Sequence, residues 1–242
     1  MPPVHGVSYR TMKRRAVLPM GLLALSVLAF AAQGITIKLD PKVGDKANYA
    51  ISGTFEVSGA EVKLTGTRSE EVTKLENDTV TTKGTSKISV NVMGQDMDQP
   101  ESVETTKTKL DGTIVEVKQG DTPAEGGALR LAHLNTLLYP SKPVAIGESW
   151  TMAVPKDEKA DLPGYKVDFK LEGEEKVGKW DTYKITAKGG ETEGAAPTKI
   201  KSTYWVDKTN GQMIHSLSEL TDAVFRPEVP PLSGKMDIMR KD

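Results

Sequence analysis

The sequence predicts a mainly β protein, in which an antiparallel curved sheet or half-barrel meander carries one central helix packed on it. Three observations support this class: apolar residues alternate with polar residues in several runs, short turn sequences separate those runs, and only one segment has apolar residues at helical spacing. Alternation with a period of two is typical of strands with one buried and one solvated face, and short turns connect antiparallel neighbours.

Five runs show the alternation most clearly. Each places aliphatic or aromatic side chains on one face and mostly Lys, Glu, Asp, Ser, Thr or Asn on the other. The apolar members are Tyr49, Ile51, Phe55 and Val57; Ile88, Val90 and Val92; Tyr165, Val167, Phe169 and Leu171; Tyr183, Ile185 and Ala187; and Ile200, Tyr204 and Val206. The chain of 242 residues has no cysteine, so these apolar faces, and not disulfide bonds, must stabilise the fold.

Four turn sequences lie between the strand-like runs, and each contains residues that tolerate a positive φ. They are Glu76-Asn77-Asp78, Asp111-Gly112, Gly189-Gly190 and Thr209-Asn210-Gly211. The last is the clearest hairpin. We expect Gly211 to adopt the left-handed conformation there, because only glycine does so without a steric penalty.

One segment, residues 127–139, has the period of a helix and ends before Pro140. Its apolar stripe consists of Ala128, Leu131, Ala132, Leu134 and Leu138. Because a one-sided sheet needs a cover for its apolar face, we expect this helix to cross the concave face. Leu131, Leu134 and Leu138 should then point into the contact, either as a fixed lid or as the gate of a ligand cavity.

The first 31 residues have the order of a secretory signal peptide. Four basic residues precede an apolar run, residues 16–32, that contains the small-x-small sequence Ala29-Phe30-Ala31. We expect residues 1–31 to be cleaved, residues 32–242 to form a single β-rich domain, and the protein to be periplasmic or extracellular. A retained membrane anchor is the alternative, although the run is short and Pro19 interrupts it.

Cleavage would change the charge of the chain. Removal of the four basic residues of the first 31 leaves 28 of the 32 basic residues against 33 acidic residues, a net charge of −5. This mild acidity gives no electrostatic support for binding nucleic acid or anionic lipid headgroups. We therefore expect no nucleic-acid partner.

The tail, residues 226–242, contains Pro227, Pro230 and Pro231 before a short apolar stretch. Proline cannot donate a hydrogen bond to a sheet ladder, so residues 226–233 are not expected inside a sheet. The tail is interpreted either as a last edge strand or as a loose end.

No assembled catalytic or metal-binding motif is present in the sequence. There is no Gly-x-Ser-x-Gly elbow, no His-Glu-x-x-His motif, no Gly-x-Gly-x-x-Gly motif and no phosphate loop. His133 and His215 are isolated and do not make a three-ligand zinc site without carboxylates. An acidic cluster lacks the spacing of a calcium loop; it consists of Asp96, Asp98, Glu101 and Glu104. We expect no enzyme activity, no catalytic residue, no cofactor and no bound metal.

Trp205 is a candidate ligand contact because of its phase along a strand. If Tyr204 and Val206 face the core, Trp205 points to the opposite face, where it either lines a ligand surface or is covered by a helix or loop. The candidate ligand-binding residues are therefore Leu131, Leu134, Leu138 and Trp205.

Two short motifs resemble those of secreted bacterial β proteins: residues 143–150, PVAIGESW, and residues 204–211, YWVDKTNG. The layout of residues 34–222 is similar to that of the periplasmic lipoprotein-carrier superfamily, in which a curved antiparallel sheet wraps a helical plug around an apolar cavity. The chain differs from the carriers in its central helix and its few large aromatic residues.

The resemblance implies a non-enzymatic exported envelope protein that binds a lipid or another apolar small molecule on the concave face of the sheet. The alternative is a structural or protein-interaction module of the cell envelope. Such a module would bind an envelope protein partner and have no ligand cavity.

Overall fold

A computed structural model describes residues 34–124, 126–158, 162–194, 196–224 and 230–242. The expected signal peptide, residues 1–31, lies outside these described residues. Within them the chain forms thirteen β-strands and one α-helix, α1 (Gly126–Leu134). The strands are β1 (Lys46–Val57), β2 (Ala60–Glu76), β3 (Thr79–Val92), β4 (Gln95–Asp98), β5 (Ser102–Lys109), β6 (Ile114–Gln119), β7 (Thr122–Pro123), β8 (Ser149–Val154), β9 (Tyr165–Val177), β10 (Trp180–Glu191), β11 (Lys199–Asp207), β12 (Met213–Ala223) and β13 (Leu232–Arg240).

All thirteen strands belong to one antiparallel sheet. Their order across it is β7-β6-β5-β3-β2-β1-β13-β12-β11-β10-β9-β8, and β4 pairs with β3 beside this path. The edge strands β7 and β8 do not pair with each other in the described part of the chain, so the sheet is curved but open. The predicted fold class, a curved antiparallel sheet with one helix, is confirmed.

The predicted alternation is clearest in β9. Tyr165, Val167, Phe169 and Leu171 are all buried, whereas the intervening lysines and aspartate are exposed. Neighbouring strands continue the same apolar face, because Phe169 lies opposite Ala187 of β10 and Leu171 lies opposite Ile185. The apolar face of β9, β10 and β11 is therefore the floor of the main core.

The helix is shorter than the predicted segment, residues 127–139. It ends at Leu134, and the side chains that follow donate hydrogen bonds to its last carbonyl groups. Asn135 Nδ2 donates to the Leu131 carbonyl at 3.1 Å, and Thr136 Oγ1 donates to the Ala132 carbonyl at 2.7 Å. The chain then continues without helical structure, and Leu138 is buried in the main core. The three leucines do enter the sheet contact, but Leu138 does so from outside the helix.

Three of the four predicted turns are present. Asn77 and Gly112 have positive φ values of 53° and 88°, and Gly211 has φ 69° in the turn between β11 and β12. The predicted turn at Gly189-Gly190 is wrong, because both glycines lie inside β10. A Cβ atom on Gly189 would overlap the carbonyl oxygen of Lys166 on β9, so glycine at this position permits close approach of two strands.

The tail is neither an edge strand nor a loose end. Residues Leu232–Arg240 form β13, which pairs with β1 on one side and with β12 on the other. Residues 225–229, which include Pro227, lie outside the described residues, and Pro230 and Pro231 precede the strand. The prolines therefore restrict the start of the strand and not its place in the sheet.

Candidate functional site

The predicted leucines divide between two apolar clusters on the apolar face of the sheet. Leu131 packs with Phe55 of β1, Ile200 of β11 and Leu220 of β12. Leu134 and Leu138 belong to the main core above β9, β10 and β11. The helix thus contacts strands that are far apart in the order of the sheet, which is how a curved sheet encloses a central element.

Leu134 also lines a cavity of about 530 Å³, which we call the helix cavity. The cavity lies between α1, the start of β6, the adjoining ends of β8, β9 and β10, and the described residues 155–158 and 162–163 that follow β8. Its apolar wall consists of Ile114, Leu134, Val154, Pro155, Leu162 and Pro163. Its inner polar wall consists of Arg130, His133, Tyr165 and Glu191, and the exposed residues Lys156, Asp157 and Glu158 complete the lining. Apolar walls with a few convergent polar groups are typical of small-molecule sites.

Arg130 and Glu191 form an ion pair in the polar wall. Arg130 Nε donates to Glu191 Oε1 at 2.7 Å, and Nη2 donates to Oε2 at 2.6 Å. The backbone N–H of Thr198 also donates to Glu191 Oε2, at 2.8 Å. The Glu191 side chain is 1% exposed, so its charge is compensated by fixed donors and not by water.

His133 and Tyr165 form the rest of the polar wall. The Tyr165 hydroxyl lies 3.5 Å from His133 Nδ1, at the long limit for a hydrogen bond. Burial lowers the pKa of His133, so the imidazole is neutral at pH 7. Burial, with a smaller contribution from Asp111, raises the pKa of Tyr165 to about 12, so its hydroxyl keeps its proton. Both groups can exchange hydrogen bonds with a ligand while they remain uncharged.

The histidines do not form a catalytic constellation in the described part of the chain. His133 contacts Tyr165, and His215 Nε2 lies 3.0 Å from Asp237 Oδ1; neither histidine is hydrogen-bonded to a serine or threonine hydroxyl there. The described residues also contain no group of three or more His, Asp or Glu side chains placed to hold a metal ion. The site is suited to binding by shape and hydrogen bonds.

The acidic cluster noted in the sequence is divided among separate partners. Asp96 accepts a hydrogen bond from Asn91 at 2.7 Å, Glu101 lies 3.2 Å from Lys87, and Glu104 accepts from Arg68 at 2.7 Å. These contacts lie at three places on the sheet. Three of the four carboxylates are therefore explained by their own neighbours.

Trp205 points to the polar face, as its phase predicts. It lies opposite Lys184 of β10 and His215 of β12, and its ring stacks on the His215 imidazole with centroids 4.5 Å apart. The Lys184 ammonium lies 5.2 Å from the ring centroid. These side chains leave Trp205 7% exposed, and it lines neither the helix cavity nor the groove described next. A ligand contact at Trp205 stays a prediction.

A second hollow, of about 940 Å³, crosses the strands from β2 to β9, and we call it the polar-face groove. Gly53 lines the groove, and its surroundings show on which face of the sheet the groove lies. The ring of Phe55 lies over Gly53 on the apolar face, 2.7 Å from the position that a Cβ atom would occupy, yet Phe55 does not line the groove. The groove therefore lies on the opposite, solvated face.

Mostly charged and hydroxyl side chains border the polar-face groove in two cross-strand rows, and a third row between them includes Leu64, Phe169, Ala187 and Met236. One row contains Ser52, Lys170, Thr186, Thr203, Leu217 and Asp237, and the other contains Thr54, Asp168, Lys188, Lys201, Glu219 and Lys235. Lys188 and Lys201 lie directly opposite each other, an arrangement that repulsion disfavours. The groove is more open to solvent than the helix cavity, so it would bury less of an apolar ligand.

Only some residues of the polar wall could be recognised from the sequence. Arg130 and Leu134 are four residues apart and share one helix face, so the sequence alone places a charged residue beside the predicted leucine contact. Glu191 follows the glycine pair that was misinterpreted as a turn, and Tyr165 was assigned only to a core face. Neither position indicates by itself that it adjoins the helix.

None of the helices in the described residues has the length and apolar character needed to span a bilayer. No protein-family model matches the chain. No curated protein sequence matches it either.

Three solved structures are similar to parts of the architecture. The first is lipovitellin, in a structure titled for lipid–protein interactions, with 11% identity and a TM-score of 0.43; the match covers 83% of this chain and 25% of that chain, so this chain spans a quarter of lipovitellin. The second is a β-barrel-like protein of the domain of unknown function DUF1849 from Brucella abortus, with 14% identity, a TM-score of 0.39, and coverage of 86% and 100%. The third is a DUF1329 family protein from Desulfovibrio piger, with 9% identity, a TM-score of 0.24, and coverage of 82% and 85%. These values assign no family.

Proposed function

We propose that the chain is a non-enzymatic, exported envelope protein that binds a lipid or another small apolar molecule in the helix cavity. The observation that carries this proposal is the cavity itself. About 530 Å³ of space adjoins the one helix of the described residues, lined by six apolar residues, by four polar residues of α1, β9 and β10, and by the exposed residues Lys156, Asp157 and Glu158. Ligand pockets commonly have about 300–1,000 Å³.

The cavity adjoins α1, the helix for which the sequence left two roles open, a fixed lid or the gate of a ligand cavity. Leu134 contacts the main core and also lines the cavity, so a ligand would share part of the surface that fastens the helix. A small displacement of α1 would widen the cavity without breaking the sheet. A carrier that takes up and releases an apolar molecule needs such an arrangement.

A neutral solvatochromic dye, Nile red, tests the proposal on residues 32–242. We expect saturable binding with a blue shift of emission, because Leu134, Val154 and Leu162 would surround part of the dye with apolar side chains. Ile114→Trp fills the apolar wall and should weaken binding by about ten-fold or more, the effect of losing roughly 1.4 kcal/mol of contact. Ile146→Trp is the matched control, because Ile146 is exposed and does not line the cavity.

The same measurements can also contradict the proposal. Equal binding in Ile114→Trp and Ile146→Trp, with both folded by circular dichroism, would show that the dye binds elsewhere. Absence of saturable binding to the native protein would remove the carrier function.

Export is the second part of the proposal and rests on the basic–apolar–small order of residues 1–31. We expect the mature chain in the extracytoplasmic fraction to begin near Ala32. N-terminal sequencing of that fraction decides the point. A retained Met1 or Met12 in exported protein would indicate a membrane anchor instead.

The polar-face groove favours a second candidate function, that of a protein-interaction module of the envelope. Its lysines and carboxylates suit a charged partner surface better than an apolar ligand. Lys188→Glu with Lys201→Glu would reverse the charge there without touching the helix cavity. Loss of an envelope phenotype in this variant, together with unchanged Nile red binding, would support the module over the carrier.

A further inference from the structure

The charges that line the helix cavity indicate what kind of head group its ligand carries, a point that rests on the proposed function. Both basic side chains in the described lining have acidic neighbours. Arg130 is held by two hydrogen bonds to Glu191, and Lys156 lies 3.9 Å from Glu158. The inner ion pair is the better fixed, because Lys156 and Glu158 are both largely exposed.

Glu191 is placed to keep the Arg130 charge cancelled. Its two carboxylate oxygens each accept from Arg130, and Oε2 also accepts from the Thr198 backbone. A ligand carboxylate would have to displace a buried carboxylate that already has three donors. The displaced group would then lie unpaired away from water, which is strongly unfavourable.

The remaining lining adds negative charge. Asp157, Glu158 and Glu191 outnumber Arg130 and Lys156, so the described lining has a net charge of −1 when His133 is neutral. An anionic head group would enter against this charge. A neutral head group would meet the Tyr165 hydroxyl and the His133 imidazole, whose mutual contact is long enough to yield to a ligand.

We propose that the helix cavity binds an uncharged amphiphile, a hydrocarbon chain with one hydroxyl, ester or amide head, and discriminates against fatty-acid anions. The chain lies against Leu134, Val154 and Leu162. The head group exchanges hydrogen bonds with Tyr165 and His133. Arg130 and Glu191 act as a closed pair that denies an anionic head its counter-ion.

Two fluorescent probes that differ only in the head group, pyrene-decanol and pyrene-decanoic acid, test this inference at neutral pH. We expect the native protein to bind the alcohol about ten-fold or more tightly than the acid, because the acid must bring a negative charge into a lining of net negative charge in which Arg130 is already paired with Glu191. Tyr165→Phe should weaken alcohol binding, with Tyr183→Phe as the matched control, since Tyr183 does not line the cavity.

The variant Glu191→Gln tests whether binding of the acid probe can be increased. It removes the carboxylate that accepts from Arg130 Nε and Nη2, so a ligand carboxylate could take its place and the preference should move toward the acid probe. The double variant Arg130→Gln with Glu191→Gln removes both charges and should keep the preference for the alcohol, even if Glu191→Gln alone is too unstable to study.

The outcomes separate the two proposals. Equal or tighter binding of the acid by the native protein overturns the inference about the head group and leaves the carrier function standing. Failure of both probes to bind saturably overturns the carrier function itself. An unchanged preference in folded Glu191→Gln would show that the ion pair does not set selectivity.

Discussion

The guanidinium of Arg130 and the carboxylate of Glu191 join α1 to the end of β10 through two hydrogen bonds of 2.7 and 2.6 Å. The two residues are 61 positions apart in the sequence. Arg130 is 23% exposed and Glu191 only 1%, so one end of the pair reaches the surface while the other is buried. The pair therefore fastens the helix and borders the cavity at once.

Removal of the cation from this pair should be costly. Arg130→Met leaves the buried Glu191 carboxylate without its cation, and we expect the free energy of unfolding to fall by roughly 3–5 kcal/mol. Urea denaturation measures this change. Arg130→Met combined with Glu191→Leu should recover most of the loss, because no unpaired charge remains. A single-variant loss near zero would mean that the pair is absent in solution.

Leu134 and Leu138 form a matched pair for testing whether the helix is a lid or a gate. Leu138 is 1% exposed and lies in the main core, so Leu138→Ala should cost roughly 2–5 kcal/mol. Leu134 is 3% exposed but borders the cavity, so Leu134→Ala should cost less, since a partly empty site loses fewer contacts. Thermal melting gives both values, and equal costs with unchanged probe binding would favour a fixed lid.

Gly211 should tolerate no larger side chain. Its φ of 69° already penalises other residues by about 1–3 kcal/mol, and a Cβ atom would also overlap the carbonyl oxygen of Lys38. Gly147, with φ 88° and open space around it, isolates the backbone contribution. We expect Gly211→Val to destabilise the protein more than Gly147→Val in denaturant titrations. Equal losses would show that the Lys38 contact is unimportant.

His133 should make stability depend on pH. Burial lowers its pKa in the folded state, so below the unfolded pKa of about 6.5 the unfolded chain binds more protons than the folded chain. Stability from this residue is thus complete above that pH and is lost as pH falls toward the lowered folded pKa. His133→Gln should flatten the difference in stability between pH 7 and pH 5, and an unchanged slope would contradict the burial of the imidazole.

The strands were predictable because their signal is local. Tyr165, Val167, Phe169 and Leu171 alternate with charged residues, and this pattern requires no knowledge of the partner strand. Gly211 was predictable for the same reason, since the turn sequence alone demands a positive φ. The end of the helix was harder to predict. The Asn135 and Thr136 side chains donate hydrogen bonds to the last carbonyl groups of the helix, and Leu138 packs in the core from the segment that follows.

The sequence by itself determined the strand faces, the hairpin turns and the presence of a single apolar helix segment. Only the tertiary structure decided that β13 pairs between β1 and β12, that Gly189 lies where two strands meet, and that Arg130 finds Glu191. Alternation and turn preference arise from the backbone of a few consecutive residues. Pairing between distant strands, and the charges that meet across a cavity, depend on which surfaces bury most apolar area when the whole chain folds.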